Sequence, residues 1–375
     1  MYRSFVLIPD SFKGTLTAPE VCGIWTEVIR RRIPDSRITA LPMADGGEGM
    51  TDACLRILGG SRYERTVTGP EGRPVTGHYA ILPDGTGVTE MAAAAGLPLV
   101  AGPLQPMTAT TWGVGELLLA MKEQGARRIL LGLGGSATTD GGIGMAGALG
   151  WRFLDEAGKE LEPLAVELGR IRRILPPAEP FGLPVTAACD VDNPLCGPNG
   201  AAHVFGPQKG ADPAQRETLD SGLAALAEAI HREQGLPVRD VPGAGAAGGL
   251  GAGVLAFLDG ALRPGIELLL DAAHASEHIA AADMVFTGEG RMDGQSSRGK
   301  VPFGVARRAG AAGKPCVALC GSLAPGAEAL YDAGITAMYA AVDSPADMET
   351  LRRTCREDMR RLTERVLAEL IGESK

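Results

Sequence analysis

Apolar and polar positions follow two rhythms along the chain. Residues 5–8 (Phe-Val-Leu-Ile) are a continuous apolar run closed by Pro9, the pattern of a short strand buried on both faces. Thr17-Ala-Pro-Glu20 then reads as a capping box with proline in the first helical turn. Behind it Val21, Ile24, Trp25, Val28 and Ile29 recur at helical spacing on one face. A second strand is predicted at 37–41 and a helix at 49–58. The C-terminal part repeats this rhythm, with strands predicted at 284–287, 315–320 and 337–342 and helices at 301–312, 325–333 and 345–371. Strand and helix in alternation at this spacing argue for a parallel sheet covered on both faces.

The middle of the chain differs. Strands at 63–68, 75–82 and 87–91 come in quick succession, separated by turns such as Gly69-Pro70 and Pro83-Asp84-Gly85. A helix at 113–124, strands at 127–133 and 185–189 and a helix at 212–233 follow. The expected fold is therefore α/β with two domains. A discontinuous parallel-sheet domain takes both chain ends (1–65 plus 283–375), and a mixed α/β domain (66–282) is inserted in it. Two domains also suit a length of 375 residues.

Composition sharpens the picture at one point. Apolar residues at 45% and charged residues at 22% are ordinary for a folded protein, but 53 glycines are about double the usual share. Such glycines belong where the backbone must bend or approach a ligand closely. A net charge of −9 and only 4% aromatic residues argue against nucleic-acid partners, which need clustered cations and stacking platforms. The N-terminal apolar run is too short for a signal-peptide core, and the Gly/Ala-rich stretch 241–258 is not a convincing membrane span. Seven scattered cysteines fit free thiols in a reducing cytosol, so a cytoplasmic location is expected.

Five glycine-rich segments carry polar groups at the ends of predicted strands, the edge at which open α/β sheets bind ligands. Asp10-Ser-Phe-Lys-Gly-Thr15 sets a carboxylate, a hydroxyl and the Lys13 ammonium within one turn, though a simple helix-start turn explains it as well. Ala44-Asp-Gly-Gly-Glu-Gly49 places Asp45 and Glu48 around a double glycine, either for a metal or substrate or as an ordinary N-cap. Gly134-Gly-Ser-Ala-Thr-Thr-Asp-Gly-Gly142 combines converging backbone N–H groups with Ser136, Thr138, Thr139 and Asp140, as an anion cradle requires. Asp190 and Asp192, in Cys189-Asp-Val-Asp-Asn-Pro194, are hard oxygen donors suited to magnesium, or one accepts a substrate hydroxyl proton. Downstream, Lys209 stands among glycines in Phe205-Gly-Pro-Gln-Lys-Gly210, where it could neutralise a transferring phosphate. In Thr287-Gly-Glu-Gly-Arg-Met-Asp293, and on to Lys300, Arg291 and Lys300 could clamp a carboxylate or phosphate.

Three single-motif labels fail. Gly132 to Ala137 fits G-x-G-x-x-A, but Thr-Thr-Asp-Gly-Gly intervenes before any helix, so phosphate binding survives better than nicotinamide binding. Gly294 to Lys300 fits G-x-x-x-x-G-K, yet Val301 replaces the hydroxyl residue that would bind magnesium. His274-Ala-Ser-Glu-His278 fits an inverted zinc motif, without an evident third ligand. The glycine-dense stretch 243–253 reads equally as close helix packing or as backbone approach to a ligand.

Taken in order, these segments resemble the bacterial glycerate kinase family of type I over nearly the whole chain. The resemblance rests on Asp10-Ser-Phe-Lys-Gly-Thr, Ala44-Asp-Gly-Gly-Glu-Gly, the 134–142 loop, Asp192-Asn-Pro-Leu with Phe205-Gly-Pro-Gln-Lys-Gly, Gly245-Ala-Ala-Gly-Gly-Leu-Gly and Thr287-Gly-Glu-Gly-Arg. It implies a flavodoxin-like (Rossmann-like) domain built from both chain ends and an inserted domain of restriction-endonuclease-like topology. It also implies ATP-dependent phosphorylation of D-glycerate with Mg2+, with 2-phosphoglycerate as the expected product, in glycerate, glucarate or glyoxylate catabolism. The residue roles that follow are expectations. Asp190 and Lys209 are catalytic, and Asp190 and Asp192 serve the metal. Asp10, Lys13, Asp45, Glu48, Arg291 and Lys300 bind substrate, and Gly134, Gly135, Ser136, Thr138, Thr139 and Asp140 bind nucleotide. A non-catalytic binding protein for a small hydroxy acid and a hydroxy-acid dehydrogenase are the rival classes. The oligomeric state is open.

Overall fold

The strand expected from the first apolar run is Ser4–Pro9, buried along its whole length. It lies inside a parallel sheet whose strands run, edge to edge, Ala337–Ala340, Cys316–Cys320, Met284–Gly288, Ser4–Pro9 and Arg37–Ala40. All four neighbour pairings are parallel. Numbered along this unit the order is 2-1-3-4-5, the flavodoxin-like winding, with its topological switch point between Ser4–Pro9 and Met284–Gly288. The structure is a computed structural model and describes residues 2–12, 14–43, 49–294, 296, 299–342 and 347–372.

The chain divides into two compact units, Met1–Asp45 with Ile266–Lys375, and Gly46–Gly265. In the first, helix Ala18–Arg32 starts at the Thr17–Glu20 capping box and buries Val21, Ile24, Trp25, Val28 and Ile29. Trp25 meets Phe286 of the central strand edge-on at 5.9 Å, and its indole N–H points to the Met359 sulfur at 3.2 Å. Met359 belongs to helix Met348–Leu370, which covers the same core with Leu362, Val366 and Leu367.

The second unit holds a six-stranded mixed sheet in the order Ala261–Arg263, Val185–Ala188, Arg128–Gly132, Thr86–Glu90, Pro74–Ile81, Ser61–Thr68. The first four strands are parallel to one another, and Pro74–Ile81 runs antiparallel to both of its neighbours, Thr86–Glu90 and Ser61–Thr68. One core lies against helix Trp112–Glu123; a second lies under helix Pro213–Gln234, which begins at an Asp212–Gln215 capping box. A small antiparallel sheet of Arg152–Leu154, Glu160–Leu161 and Arg173–Leu175 was not expected from the pattern.

Two joints fall elsewhere than the sequence reading put them. The units divide about Asp45 and Gly265 rather than near 65 and 283. Helix Met50–Leu58 packs on strands Thr86–Glu90 and Pro74–Ile81 of the mixed sheet, whereas helix Ala275–Ala281 packs on Ser4–Pro9. The helix expected at 325–333 covers only Ala329–Ala333. No helix among the described residues is long and apolar enough to cross a membrane.

Candidate active site

In the first unit the switch point collects charge. Pro9 and Gly288 are register partners, so Asp10 and Glu289 leave the sheet side by side, and the Asp10 N–H donates to the Gly288 carbonyl at 2.9 Å. Gly288 itself admits no side chain, because a Cβ there would stand 1.9 Å from the Leu319 carbonyl oxygen. Glu289 is only 6% exposed. Burial pushes its carboxyl above the usual range, against the opposing pull of the Ser296 hydroxyl and the Lys300 ammonium. Lys300 Nζ lies 3.2 Å from Glu289 Oε2, and Lys300 also stands at the N-cap of helix Val301–Ala311. Arg291 is exposed, with Nε 3.8 Å from Asp293 Oδ2. These groups line a cavity of about 470 Å3 whose other wall is apolar, formed by Phe12, Leu16, Met348, Leu351 and Met359. Of the substrate-binding expectations, Asp10, Arg291 and Lys300 meet here; Lys13, Asp45 and Glu48 lie outside the described residues.

The second unit has a different pocket, of about 350 Å3, at the carboxyl edge of its parallel strands. Ala188 pairs with Gly132, so the loop after each strand opens on the same side of the sheet. Gly134, Gly135 and Ser136 form one wall, Asp190 and Val191 another, with Phe205, Gln208, Ala246 and Ala247 completing the lining. Residues 95–97 pin the loop: the Leu97 N–H donates to the Gly135 carbonyl at 3.0 Å and the Ala137 N–H to the Ala95 carbonyl at 2.9 Å. Asp190 is exposed, and its Oδ1 accepts the Gly265 N–H at 2.8 Å.

The rest of the glycine loop turns inward. Thr138, Thr139 and Asp140 are fully buried and do not line the pocket. Asp140 accepts four hydrogen bonds: the Thr111 N–H and hydroxyl, each at 2.8 Å, the Gly142 N–H at 3.1 Å and the Gly144 N–H at 3.3 Å. Burial raises its pKa while these donors pull it down. Lys209, 1% exposed, donates from Nζ to the Thr138 carbonyl at 2.6 Å. Its pKa is lowered by burial to about 7, with the Asp140 charge acting in the opposite direction. The six expected nucleotide residues thus split into three at the pocket and three behind it.

Two acids that the sequence reading did not single out hold strand ends. Glu289 is one. Glu90 is the other, ending Thr86–Glu90 and accepting the Gly49 and Thr51 N–H groups, each at 2.9 Å, at the start of helix Met50–Leu58. Glu90 carries no sequence signal, and Glu289 lies in the Thr287-Gly-Glu-Gly-Arg segment without a role assigned to it. The zinc motif dissolves: His274 has a left-handed backbone (φ 49°) ahead of helix Ala275–Ala281, so it shares no helical face with His278. Among the described residues no group of three or more His, Cys, Asp or Glu is placed to hold a metal ion.

Fold and pockets define a two-unit α/β protein with a pocket at the carboxyl edge of each parallel array of strands. Residues 5–371 match the profile of the Glycerate kinase family. The chain is 44% identical to a glycerate kinase of Halalkalibacterium halodurans, over 91% of each chain. It is 41% identical to the glycerate 2-kinase of Escherichia coli K12, over 97% of each. The crystal structure of a glycerate kinase 2 from Salmonella typhimurium LT2 superimposes with a TM-score of 0.84 at 37% identity, covering 100% of this chain and 99% of that one. The chain belongs to the glycerate kinase family.

Proposed function

We propose that the chain transfers the γ-phosphoryl group of ATP to the 2-hydroxyl of D-glycerate, giving 2-phosphoglycerate and ADP in cytoplasmic glycerate catabolism. Within the family, the observation that supports this reading best is the second-unit pocket. There the backbone of Gly134, Gly135 and Ser136 faces the same space as the Asp190 carboxylate. Unpaired peptide N–H groups suit phosphate oxygens, and a carboxylate beside them suits the hydroxyl that attacks.

Asp190 orients the glycerate hydroxyl and takes its proton as the oxygen–phosphorus bond forms and the bond to ADP breaks. The glycine loop holds the phosphates. In the first-unit pocket, Arg291 and Lys300 are cations suited to a carboxylate, with Asp10 as a partner for hydroxyls. A magnesium ion, when bound, would neutralise phosphate charge. Asp190 and Asp192 fit it as hard oxygen donors, since magnesium is commonly held by one or two carboxylates plus phosphate oxygens. A coupled ADP-release assay with ATP and D-glycerate tests the reading. Turnover with D-glycerate supports it; silence with D-glycerate and other small hydroxy acids overturns it in favour of a binding protein.

A further inference from the structure

We infer that Lys209 is a positioning residue of this reaction. Its buried ammonium ties the Thr138 carbonyl to the Pro207–Lys209 turn and so fixes the spacing of the pocket walls that receive the nucleotide phosphates. The inference rests on the kinase reading above and adds a role that direct phosphate contact would not give.

Three of the segments that line the pocket join at one peptide. Gly134, Gly135 and Ser136 lie just upstream of Thr138 in the same loop. Gln208 is the neighbour of Lys209 in the turn, and Phe205 lies just before it. Ala246 and Ala247 lead into Gly248, whose Cβ position is filled by the Thr138 carbonyl oxygen at 1.9 Å. Ala247, Gly248 and Gly249 adopt left-handed backbone in succession (φ 53°, 69° and 91°), a conformation that costs energy at an alanine and persists where its surroundings enforce it. The Thr138 carbonyl therefore sits between the Gly248 backbone on one side and the Lys209 ammonium on the other. Removing the ammonium frees one side of that joint without touching any atom that lines the pocket.

With its amine buried, Lys209 cannot reach a substrate from this position. Asp140, in the loop itself, is the charged group acting on it. A charged donor holds a carbonyl about twice as strongly as a neutral one, so the tie slackens as the lysine loses its proton near pH 7.

The test uses the full chain and the variants Lys209→Met and Lys209→Arg, measuring kcat, KM for ATP and for D-glycerate, ATP affinity by calorimetry, and Tm. Methionine fills the volume and removes a buried charge but leaves the Thr138 carbonyl without this donor, so Lys209→Met should melt within a few degrees of wild type. Its KM and Kd for ATP should nevertheless rise ~10-fold or more, while KM for glycerate holds. In wild type, KM for ATP should climb as pH passes upward through about 7; in Lys209→Arg that step should vanish. Unchanged ATP affinity in Lys209→Met overturns the inference, as does a loss shared equally by ATP affinity, glycerate affinity and Tm. If Lys209→Met does not fold, the wild-type pH profile decides, and a flat one overturns it. If wild type binds ATP but transfers nothing to glycerate, the kinase reading fails, while the calorimetric comparison still decides the role of Lys209.

Discussion

The two pockets use charge in opposite ways. In the first unit Asp10, Glu289, Arg291 and Lys300 all line the cavity, so a ligand would meet side-chain charge directly. In the second unit Asp190 is the charged residue of the lining, most of the remaining wall is glycine, alanine and other uncharged residues, and Lys209 and Asp140 are buried outside it. Flavodoxin-like winding explains the first arrangement, because adjacent parallel strands deliver Asp10 and Glu289 to one point. In the second, Gly134 and Gly135 contribute no side chains to the wall, and the Lys209 ammonium holds the Thr138 carbonyl of the same loop. A charged residue in a glycine-rich loop thus need not line the pocket beside it.

The largest expected effect sharpens the one exposed carboxylate of the second pocket. Asp190→Asn should lower kcat by ~100- to 10,000-fold, the usual contribution of a general base, with ATP binding retained by calorimetry. Next comes the rear support of the glycine wall. Gly248→Ala adds a Cβ at φ 69° and 1.9 Å from the Thr138 carbonyl, and should lower unfolding stability by ~3 kcal/mol or more in urea titration. In the first pocket, Lys300→Ala should raise KM for glycerate ~10-fold and leave KM for ATP in place, since its ammonium faces the cavity. An equal rise in both constants would break the contrast between the pockets.

The remaining effect is a pH slope. Lys209 has its pKa lowered from 10.5 to about 7 in the fold, so between those values the unfolded chain binds a proton that the native chain lacks. Stability from this residue therefore rises with pH across that window, by at most ~1.4 kcal/mol per pH unit. Lys209→Met should remove the slope in urea unfolding measured between pH 7 and 10.

Much of the fold is legible in the chain because its signals are local. The Thr17 and Asp212 capping boxes and the apolar runs of Ser4–Pro9 and Cys316–Cys320 each specify an element from adjacent residues. Helix Ala246–Leu258 was half legible: the stretch 243–253 read equally as close helix packing or ligand approach, and in the fold Gly248, Gly249 and Gly253 pack against Thr138, Gly141 and Gly142 while Gly251 packs against Gly243 and Ala244. The unit boundaries were missed because they depend on which sheet a helix packs against, which its own periodicity does not encode.

The site was legible as a set of loops, not as a division of roles within them. Gly134 to Asp140 reads as one polar cradle, yet the partner that turns Asp140 inward, Thr111, lies 29 residues upstream. Lys209 among glycines looks like a surface cation waiting for phosphate, and nothing nearby in sequence announces its burial. Glu289 was visible only as part of the Thr287-Gly-Glu-Gly-Arg segment, and its value comes from standing beside Asp10 across a 279-residue chain separation bridged by the sheet.

Phosphoryl transfer from ATP to the 2-hydroxyl of D-glycerate is tested most directly by phosphorus NMR of the reaction mixture. The expected spectrum shows 2-phosphoglycerate growing in step with ADP. A 3-phosphoglycerate resonance in its place, or ATP persisting unchanged beside D-glycerate and magnesium, would contradict it.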